Sequence, residues 1–156
     1  MTPFTTRDFR PADAAALAAL ARRAVRETAS DAYTAPQCAA WAARFDDATA
    51  WAQRLQDAWV RVAEDANGAI AGFGAIQMSG QIDLLFTAPE HTRQGVASLV
   101  LADLLELAAA MGAGTLSVHA SDLSRPVFER HGFRVIESRL VDCGPEQLRH
   151  HAMQKP

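Results

Sequence analysis

The residues with the clearest chemical potential lie in one stretch, IDLLFTAPEHTRQGVASLVL, which runs from Ile82 to Leu101. An apolar, strand-like run ends at Pro89, and a short polar loop then leads through Gly95 into a long apolar helix. The first N–H groups of a helix have no partner within the helix, so they can bind an anion. The pattern predicts a site for a phosphate-bearing ligand, where Arg93 would add positive charge.

The same loop also has a simpler interpretation. Gly95 lets the backbone pass close to a ligand, and Ala97 is too small to block it. The spacing fits neither GxGxxG nor GxxxxGK[ST], so it does not indicate a dinucleotide fold or a P-loop. On spacing alone, an ordinary strand-to-helix turn explains the segment more simply than a phosphate site does.

Composition limits the classes of protein that this chain can represent. Its 156 residues fit one domain, 21% of them are charged, and the formal net charge of −3 argues against a nucleic-acid binder. Cys38 and Cys143 give neither a disulfide framework nor a metal-ligand spacing. The sequence shows no signal core and no apolar run of membrane length. We expect a single cytoplasmic domain over residues 1–156, with no metal and no membrane contact.

The order of strand and helix signals predicts the fold class. Predicted strands cover Thr2–Phe9, Trp59–Glu64, Ala69–Met78, Gln81–Thr87, Thr115–Ala120, Phe133–Val141 and Gln147–Gln154. Predicted helices cover Pro11–Thr28, Pro36–Phe45, Ala48–Ala58, Gly95–Met111 and a short segment that ends at Arg130. Asn67-Gly68 indicates a hairpin turn, and Gly72 and Gly74 indicate a close approach of the backbone. We expect an α/β fold of the α+β type, in which helices flank a mixed sheet.

A second segment, SRPVFERHGF, runs from Ser124 to Phe133 and follows the first by one helix and one strand. Together the two segments resemble the acetyl-CoA-binding core of the GNAT superfamily of N-acetyltransferases. The first signature of that family is Arg/Gln-x-x-Gly-x-Gly/Ala. Gly95 and Ala97 match its two small positions, whereas Thr92 stands where the family has a long side chain.

The second signature of the family is roughly Asn-x-x-Ala-x-x-x-Tyr-Glu-Lys-x-Gly-Phe. Glu129 and Arg130 match its Glu-Lys pair. Phe128 replaces the tyrosine, Ser124 the alanine and Ser121 the asparagine. The strand end before the first segment, Thr-Ala-Pro, is also similar to the Val-x-Pro of the family, so the resemblance covers most of the chain.

The resemblance implies a GNAT-like sheet of about seven strands with two parallel strands that splay apart, here Gln81–Thr87 and Thr115–Ala120. It implies that acetyl-CoA is the co-substrate. Backbone groups of Leu85, Phe86 and Thr87 would bind its pantetheine arm, and residues 93–98 its pyrophosphate. The residues expected to bind acetyl-CoA are Leu85, Phe86, Thr87, Thr92, Arg93, Gln94, Gly95, Val96, Ala97, Ser98, Ser121, Ser124 and Phe128.

Two groups are expected to take part in the chemistry itself. The Leu85 N–H would polarise the thioester carbonyl. Asp83 is the candidate base, because it lies two residues from Leu85, on the same face of an apolar strand, where partial burial would raise its pKa. The alternative is that Asp83 pairs with an arginine or caps a turn.

The leaving thiolate lacks its usual proton donor, since Phe128 stands at the position of the family's tyrosine. The chain would use another acid, use water, or release the thiolate directly. His119, His131 and Tyr33 are the side chains that could substitute, although packing or surface roles explain each of them more simply.

The acceptor site is expected between the first and second strands, at about residues 27–56. There Tyr33 and Trp41, with Trp51, could form an aromatic wall for an amine. The carboxylates that could attract a cationic amine are Glu27, Asp46 and Asp47. The alternative, and the simpler interpretation, is that these aromatic residues anchor the helices and that the carboxylates are solvated.

The sequence therefore predicts a transferase that moves an acetyl group from acetyl-CoA to a primary amine by direct attack in a ternary complex, without a metal. One alternative is a non-catalytic acyl-CoA-binding regulatory module, which the replacements at Thr92 and Phe128 favour. The other is an acetyltransferase that acts on an amine of a protein or of an aminoacyl-tRNA. The excess of acidic over basic residues disfavours the tRNA. The identity of the acceptor, the preferred acyl length and the formation of a homodimer stay open.

Overall fold

A seven-stranded mixed sheet organises the chain in the computed structural model, which describes residues 3–156. The strands are β1 (Thr5–Asp8), β2 (Trp59–Glu64), β3 (Ile70–Ile76), β4 (Gln81–Thr87), β5 (Leu116–Ala120), β6 (Arg134–Cys143) and β7 (Glu146–Lys155). They lie in the order β1-β2-β3-β4-β5-β7-β6, and β4 and β5 run parallel to each other while the other neighbours are antiparallel. The expected fold class is confirmed.

Within residues 3–156, five α-helices cover the two sides of this sheet. They are α1 (Ala14–Arg23), α2 (Ala35–Ala42), α3 (Ala48–Gln56), α4 (Val96–Ala110) and α5 (Arg125–Arg130). On the side of α1, α2 and α3, called the α1 face, Leu17 and Trp51 are buried together with Phe73. On the other side, called the α4 face, Val100 of α4 and Phe128 of α5 share a second apolar core.

The element boundaries agree with the predicted ones to within a few residues, apart from the first strand and the first helix. Of the predicted strand Thr2–Phe9, β1 covers Thr5–Asp8, and Thr2 lies outside the described residues. The predicted helix Pro11–Thr28 is divided, since it changes from α to π geometry at Ala24. The start of α2 is fixed by Thr34, whose hydroxyl accepts from the Gln37 N–H while the Gln37 side chain accepts from the Thr34 N–H.

Helix α4 packs directly on the backbone of β3. A Cβ atom at Gly72 would lie 2.7 Å from Val96 Cγ1 and 2.8 Å from the Phe86 carbonyl oxygen, and one at Gly74 would lie 2.9 Å from Val100 Cγ1. Only glycine therefore fits at these two positions. The close approach predicted from the two glycines is confirmed, and it fixes the start of α4 beside β4.

The two parallel strands separate soon after they meet. Strand β4 pairs with β5 at Gln81↔Ser117 and at Ile82↔Val118, although β4 continues to Thr87 and β5 to Ala120. The expected splay of β4 and β5 is therefore present. It leaves an opening in the middle of the sheet.

A β-bulge in β4 decides where Asp83 points. Strand β3 pairs Ala75 with Leu84 and Ile76 with Ile82, so Asp83 is an extra residue in β4. Because of the bulge, Ile82 packs in the core of the α4 face and Leu84 in that of the α1 face.

The prediction that Asp83 and Leu85 share a face is therefore wrong. Leu85 packs against the core of the α4 face, while the carboxylate of Asp83 binds Arg54 of α3 on the α1 face. The simple alternation of a strand fails here because the bulge adds a residue on one side of the ladder only.

Three findings on residues 3–156 bear on the other expectations. No helix among them is long and apolar enough to cross a bilayer. They contain no group of three or more His, Cys, Asp or Glu side chains arranged to hold a metal ion. Cys38 and Cys143 are both buried and free.

Candidate active site

The separated ends of β4 and β5 frame a cavity of about 510 Å³. Its wall includes Val96 and Phe128, which belong to the core of the α4 face, and Phe45 and Leu148, which belong to that of the α1 face. The cavity therefore passes through the gap between the strands and opens toward both faces of the sheet.

The loop before α4 forms the edge of this cavity on the α4 face. Gly95 has a φ of 83° and Arg93 a φ of 60°, both in the left-handed region, and the helix begins at Val96. A Cβ atom at Gly95 would meet no atom of residues 3–156 within 4 Å, so the glycine is needed for its backbone angle and leaves open space at the helix start. The N–H groups of the first turn face no helical acceptor and can bind an anion there.

Twelve of the thirteen residues predicted to bind acetyl-CoA line the cavity. These are Leu85, Phe86, Thr87, Thr92, Arg93, Gly95, Val96, Ala97, Ser98, Ser121, Ser124 and Phe128. Gln94 lies outside the cavity lining, and its side chain donates to the Glu90 carbonyl oxygen at 3.3 Å. The hydroxyl of Thr92 is likewise held in the loop, where it donates to the Pro89 carbonyl oxygen.

The turn into α5 is held by two serines. The Ser124 hydroxyl accepts from the Ser121 N–H at 3.0 Å, and the Ser121 hydroxyl accepts from the Ser124 N–H at 3.1 Å. Phe128, in the following turn, is 1% exposed and packs edge-on against Phe133. The phenyl ring at this position presents no group that could donate a proton.

Asp83 lines the cavity together with its partner Arg54. Arg54 Nε donates to Asp83 Oδ2 at 2.7 Å and Arg54 Nη2 donates to Oδ1 at 3.0 Å. Pairing with an arginine was the alternative role considered for this carboxylate. The two-pronged contact holds the carboxylate in place and engages both of its oxygens.

Two histidines that face the cavity stand beside each other on the α1 face. His119 of β5 and His150 of β7 have ring centroids 6.3 Å apart. Burial lowers the pKa of His150, and its interactions with His119 and with the positive charge of Arg44 lower it further. The imidazole of His150 is therefore neutral near pH 7 and free to accept a proton.

His150 is one of the site residues that the sequence analysis missed, together with Arg44 and Arg54. Its neighbour His151 faces the other side of the sheet, where it is buried between Asp122 and Ser138. The sequence carries no local signal for His150, because its position at the cavity depends on β7 lying between β5 and β6, where His150 pairs with Arg139 of β6.

The predicted acceptor residues separate into two groups. Trp41 lines the cavity. Tyr33 lies outside its wall, where the hydroxyl donates to the Arg149 carbonyl oxygen at 3.1 Å and accepts from the Asp122 N–H at 3.0 Å. Trp51 is buried and donates to the Ala14 carbonyl oxygen, so these two aromatic residues tie elements together.

The three carboxylates considered for the acceptor lie outside the cavity wall. Glu27 pairs with Arg23 on the same helical stretch, and the nearest charged partner of Asp46 is Arg22 at 3.8 Å. Asp47 accepts from the first N–H groups of α3 and caps that helix. The positions of these three carboxylates therefore do not favour the expected role, which was to attract a cationic amine into the cavity.

Comparisons with known proteins identify relatives of this chain. A family model described as the acetyltransferase (GNAT) domain matches residues 29–156. The uncharacterized N-acetyltransferase YafP of Escherichia coli (strain K12) is 36% identical over 143 residues, which cover 92% of this chain and 89% of that protein.

Solved structures of other proteins are also similar to this chain. A GCN5-related N-acetyltransferase from Rhodopseudomonas palustris, also described as an aminotransferase of class II, superposes with a TM-score of 0.94 at 30% identity and covers 99% of this chain and 96% of that one. The PaiA N-acetyltransferase of Thermoplasma acidophilum, solved in complex with coenzyme A, has a TM-score of 0.76 at 16% identity, with 97% and 98% covered. The second likeness shows a shared fold.

Proposed function

This chain belongs to the GNAT acetyltransferase family, and from that premise we propose that it transfers an acetyl group from acetyl-CoA to a primary amine. The observation that carries the proposal is the cavity that passes between β4 and β5 and opens toward both faces of the sheet. Such a cavity lets the donor enter from one face and the amine from the other. Both substrates would be bound at once, so the acetyl group would pass directly between them.

The wall of the cavity on the α4 face fits an acyl-coenzyme A. Arg93 and the N–H groups at the start of α4 suit a pyrophosphate, and Gly95 leaves space for it. Within the described residues, the pairing of β4 with β5 stops at Ile82, so the backbone of Leu85–Thr87 can hydrogen-bond an extended pantetheine arm. The T. acidophilum protein, which shares the fold, was solved with coenzyme A, and this supports the same ligand here.

Acetyl-CoA supplies an activated thioester. In the proposed reaction the amine nitrogen bonds to the acetyl carbon, the carbon–sulfur bond breaks, and the nitrogen gives up a proton. The Leu85 N–H would donate to the carbonyl oxygen as negative charge develops on it. Phe128 offers the sulfur no proton, and the reaction does not require one at that position, because a thiolate is a tolerable leaving group near neutral pH.

For the proton acceptor we place His150 ahead of Asp83. The imidazole of His150 is neutral near pH 7 and faces the cavity, next to His119. The carboxylate of Asp83 already accepts two hydrogen bonds from Arg54, so both of its oxygens are engaged. Asp83 stays the competing candidate, and the pH dependence of the two variants separates them.

The test is release of free thiol from acetyl-CoA with a broad panel of primary amines, together with titration calorimetry of acetyl-CoA alone. We expect binding without any amine and thiol release that depends on the amine. Absence of acetyl-CoA binding at millimolar concentration would refute the proposal.

Two rivals predict different results in the same experiment. Binding of acetyl-CoA without thiol release for any amine is the result expected of a regulatory acyl-CoA-binding module, which the replacements at Thr92 and Phe128 favour. Activity on a peptide amine alone would point to a protein acceptor.

A further inference from the structure

The charges on the acceptor side of the cavity are predominantly positive. Asp83 is the only carboxylate of residues 3–156 that lines the cavity, and both of its oxygens are bound by Arg54. Arg44 and the pair of His119 and His150 line the same side. Because Arg54 and Asp83 neutralise each other, Arg44 supplies the net charge of this half of the cavity.

Arg44 is held in place but not neutralised. Its Nη2 donates to the backbone carbonyl oxygen of Asp142 at 2.9 Å, which anchors the guanidinium beside the end of β6. Among the described residues, no carboxylate lies within ion-pair distance of it. A guanidinium has five N–H donors, so most of them are free to bind a ligand.

The remaining wall on this side is apolar. Trp41 and Phe45 approach the ring of Phe86, and Leu148 lies nearby in the same core. The pKa of His150 is lowered first by burial and then by interactions with His119 and Arg44, which places Arg44 close enough to act on a group in the cavity. A ligand that carried positive charge alone would meet repulsion in this half of the cavity, and no free carboxylate of residues 3–156 lines it to offset that repulsion.

We infer that the acceptor is an amine that also carries a carboxylate, and that Arg44 binds this carboxylate. This inference rests on the proposed acetyl transfer and gives the substrate class of the same site. A guanidinium binds a carboxylate through two parallel hydrogen bonds, which would also orient the amine toward the gap between β4 and β5. The positive field favours the neutral form of the amine, which is the form that attacks the thioester. A polyamine, by contrast, would bring only like charge.

The test compares amines that differ in the carboxylate alone. Thiol release from acetyl-CoA is measured with α- and ω-amino acids and with the corresponding amides, and kcat/KM is compared within each pair at the same concentration of neutral amine. We expect the amino acid to be preferred over its amide by roughly 10- to 100-fold for the accepted pairs, as a hydrogen-bonded charge pair predicts.

Arg44→Gln should abolish this preference, mainly by raising KM for the amino acid, and Arg44→Lys should restore part of it. Arg134→Gln is the matched control, since Arg134 is exposed on β6 and is not part of the cavity wall. Affinity for acetyl-CoA and the melting temperature, measured for each variant, separate loss of the contact from loss of the fold.

The outcomes distinguish this inference from the function on which it rests. Thiol release with equal kcat/KM for acids and amides, or a preference for polyamines, would overturn the inference and leave acetyl transfer standing. A preference for acids that Arg44→Gln leaves intact would overturn the role of Arg44. No thiol release with any amine would refute the proposed function itself.

Discussion

Both carboxylate oxygens of Asp83 accept hydrogen bonds from the guanidinium of Arg54, at 2.7 and 3.0 Å. The bulge in β4 makes this contact possible, because it turns Asp83 toward α3 while Leu85 packs on the opposite face. A carboxylate whose two oxygens both accept from a guanidinium is poorly suited to accept a proton from the acceptor amine. Its position instead fixes Arg54 at the rim of the cavity.

The first prediction concerns the proton acceptor. His150→Gln should lower kcat by about 100-fold or more, because general base catalysis typically contributes at least that factor. Since the pKa of His150 lies below the usual imidazole value of 6.5, the wild-type rate at a fixed concentration of neutral amine should be constant above pH 6.5 and should fall in acid as the imidazole is protonated. The variant should lose this acid limb.

Asp83→Asn is the matched comparison, and it should keep the acid limb while kcat/KM falls moderately. His131→Gln is the control for removal of an imidazole outside the cavity wall. If Asp83→Asn removes the acid limb and His150→Gln leaves it, Asp83 is the base.

The second prediction concerns the loop before α4. Gly95→Ala should weaken binding of coenzyme A, because the new methyl group enters the space at the helix start and the φ of 83° strains any other residue. Gly112→Ala is a close control, since Gly112 has a φ of 73° and its Cβ would also meet no described atom within 4 Å, but it follows the far end of α4.

Both substitutions should cost about 1 kcal/mol of stability from backbone strain. Only Gly95→Ala should change the dissociation constant measured by calorimetry. Equal affinities of the two variants for coenzyme A would show that Gly95 does not contribute to the binding site.

The third prediction concerns the contact between β3 and α4. Gly72→Ala should destabilise the protein by about 1–3 kcal/mol, because the new Cβ would lie 2.7 Å from Val96 Cγ1 and 2.8 Å from a backbone oxygen. Gly114→Ala, whose Cβ meets no described atom within 4 Å, is the control. Denaturant unfolding measures both, and a Gly72→Ala variant as stable as the wild type would contradict the tight packing.

The fourth prediction concerns Asp122, which accepts from Arg149 and His151. Burial disfavours the charge of this carboxylate, but the two hydrogen-bonded partners prevail and hold its pKa below the usual value of 3.8. The pairing therefore stabilises the fold above the unfolded pKa, and this stability is lost as the pH falls through the lower, folded value.

Asp122→Asn should accordingly lower the free energy of unfolding by about 1–3 kcal/mol at pH 7. The difference from the wild type should shrink in acid, once the carboxylate of the wild type is protonated. Asp31→Asn, at an exposed position, serves as the control. A difference that stays constant down to acid pH would mean that the ion pairs do not cause the effect.

Much of the fold could be predicted from the sequence because its signals are local. The loop at Gly95 is determined by a strand, a proline and a glycine that follow one another along the chain. Gly72 and Gly74 predicted a close approach of the backbone because glycine inside a strand often marks a place where another part of the chain packs against it. The separation of β4 from β5 was implied by the resemblance to a family, and the register of the two strands confirms it.

The parts that could not be predicted depend on pairing between distant residues. The bulge at Asp83 is a property of β3 and β4 together, so alternation along β4 alone gave the wrong face. His150 reaches the cavity because β7 lies between β5 and β6. Tyr33 binds Arg149 and Asp122, which are far away in sequence, and these contacts keep its hydroxyl out of the acceptor site.

The central claim, acetyl transfer to an amine, is tested most directly by the balance of the two products. Acetyl-CoA is incubated with the protein and an accepted amino acid, and free thiol and N-acetylated amine are quantified in the same sample, the latter by mass spectrometry. The account predicts equal amounts of both products, formed only when protein and amine are present together. Bound acetyl-CoA with no N-acetylated product from any amine, or thiol release without that product, would contradict it.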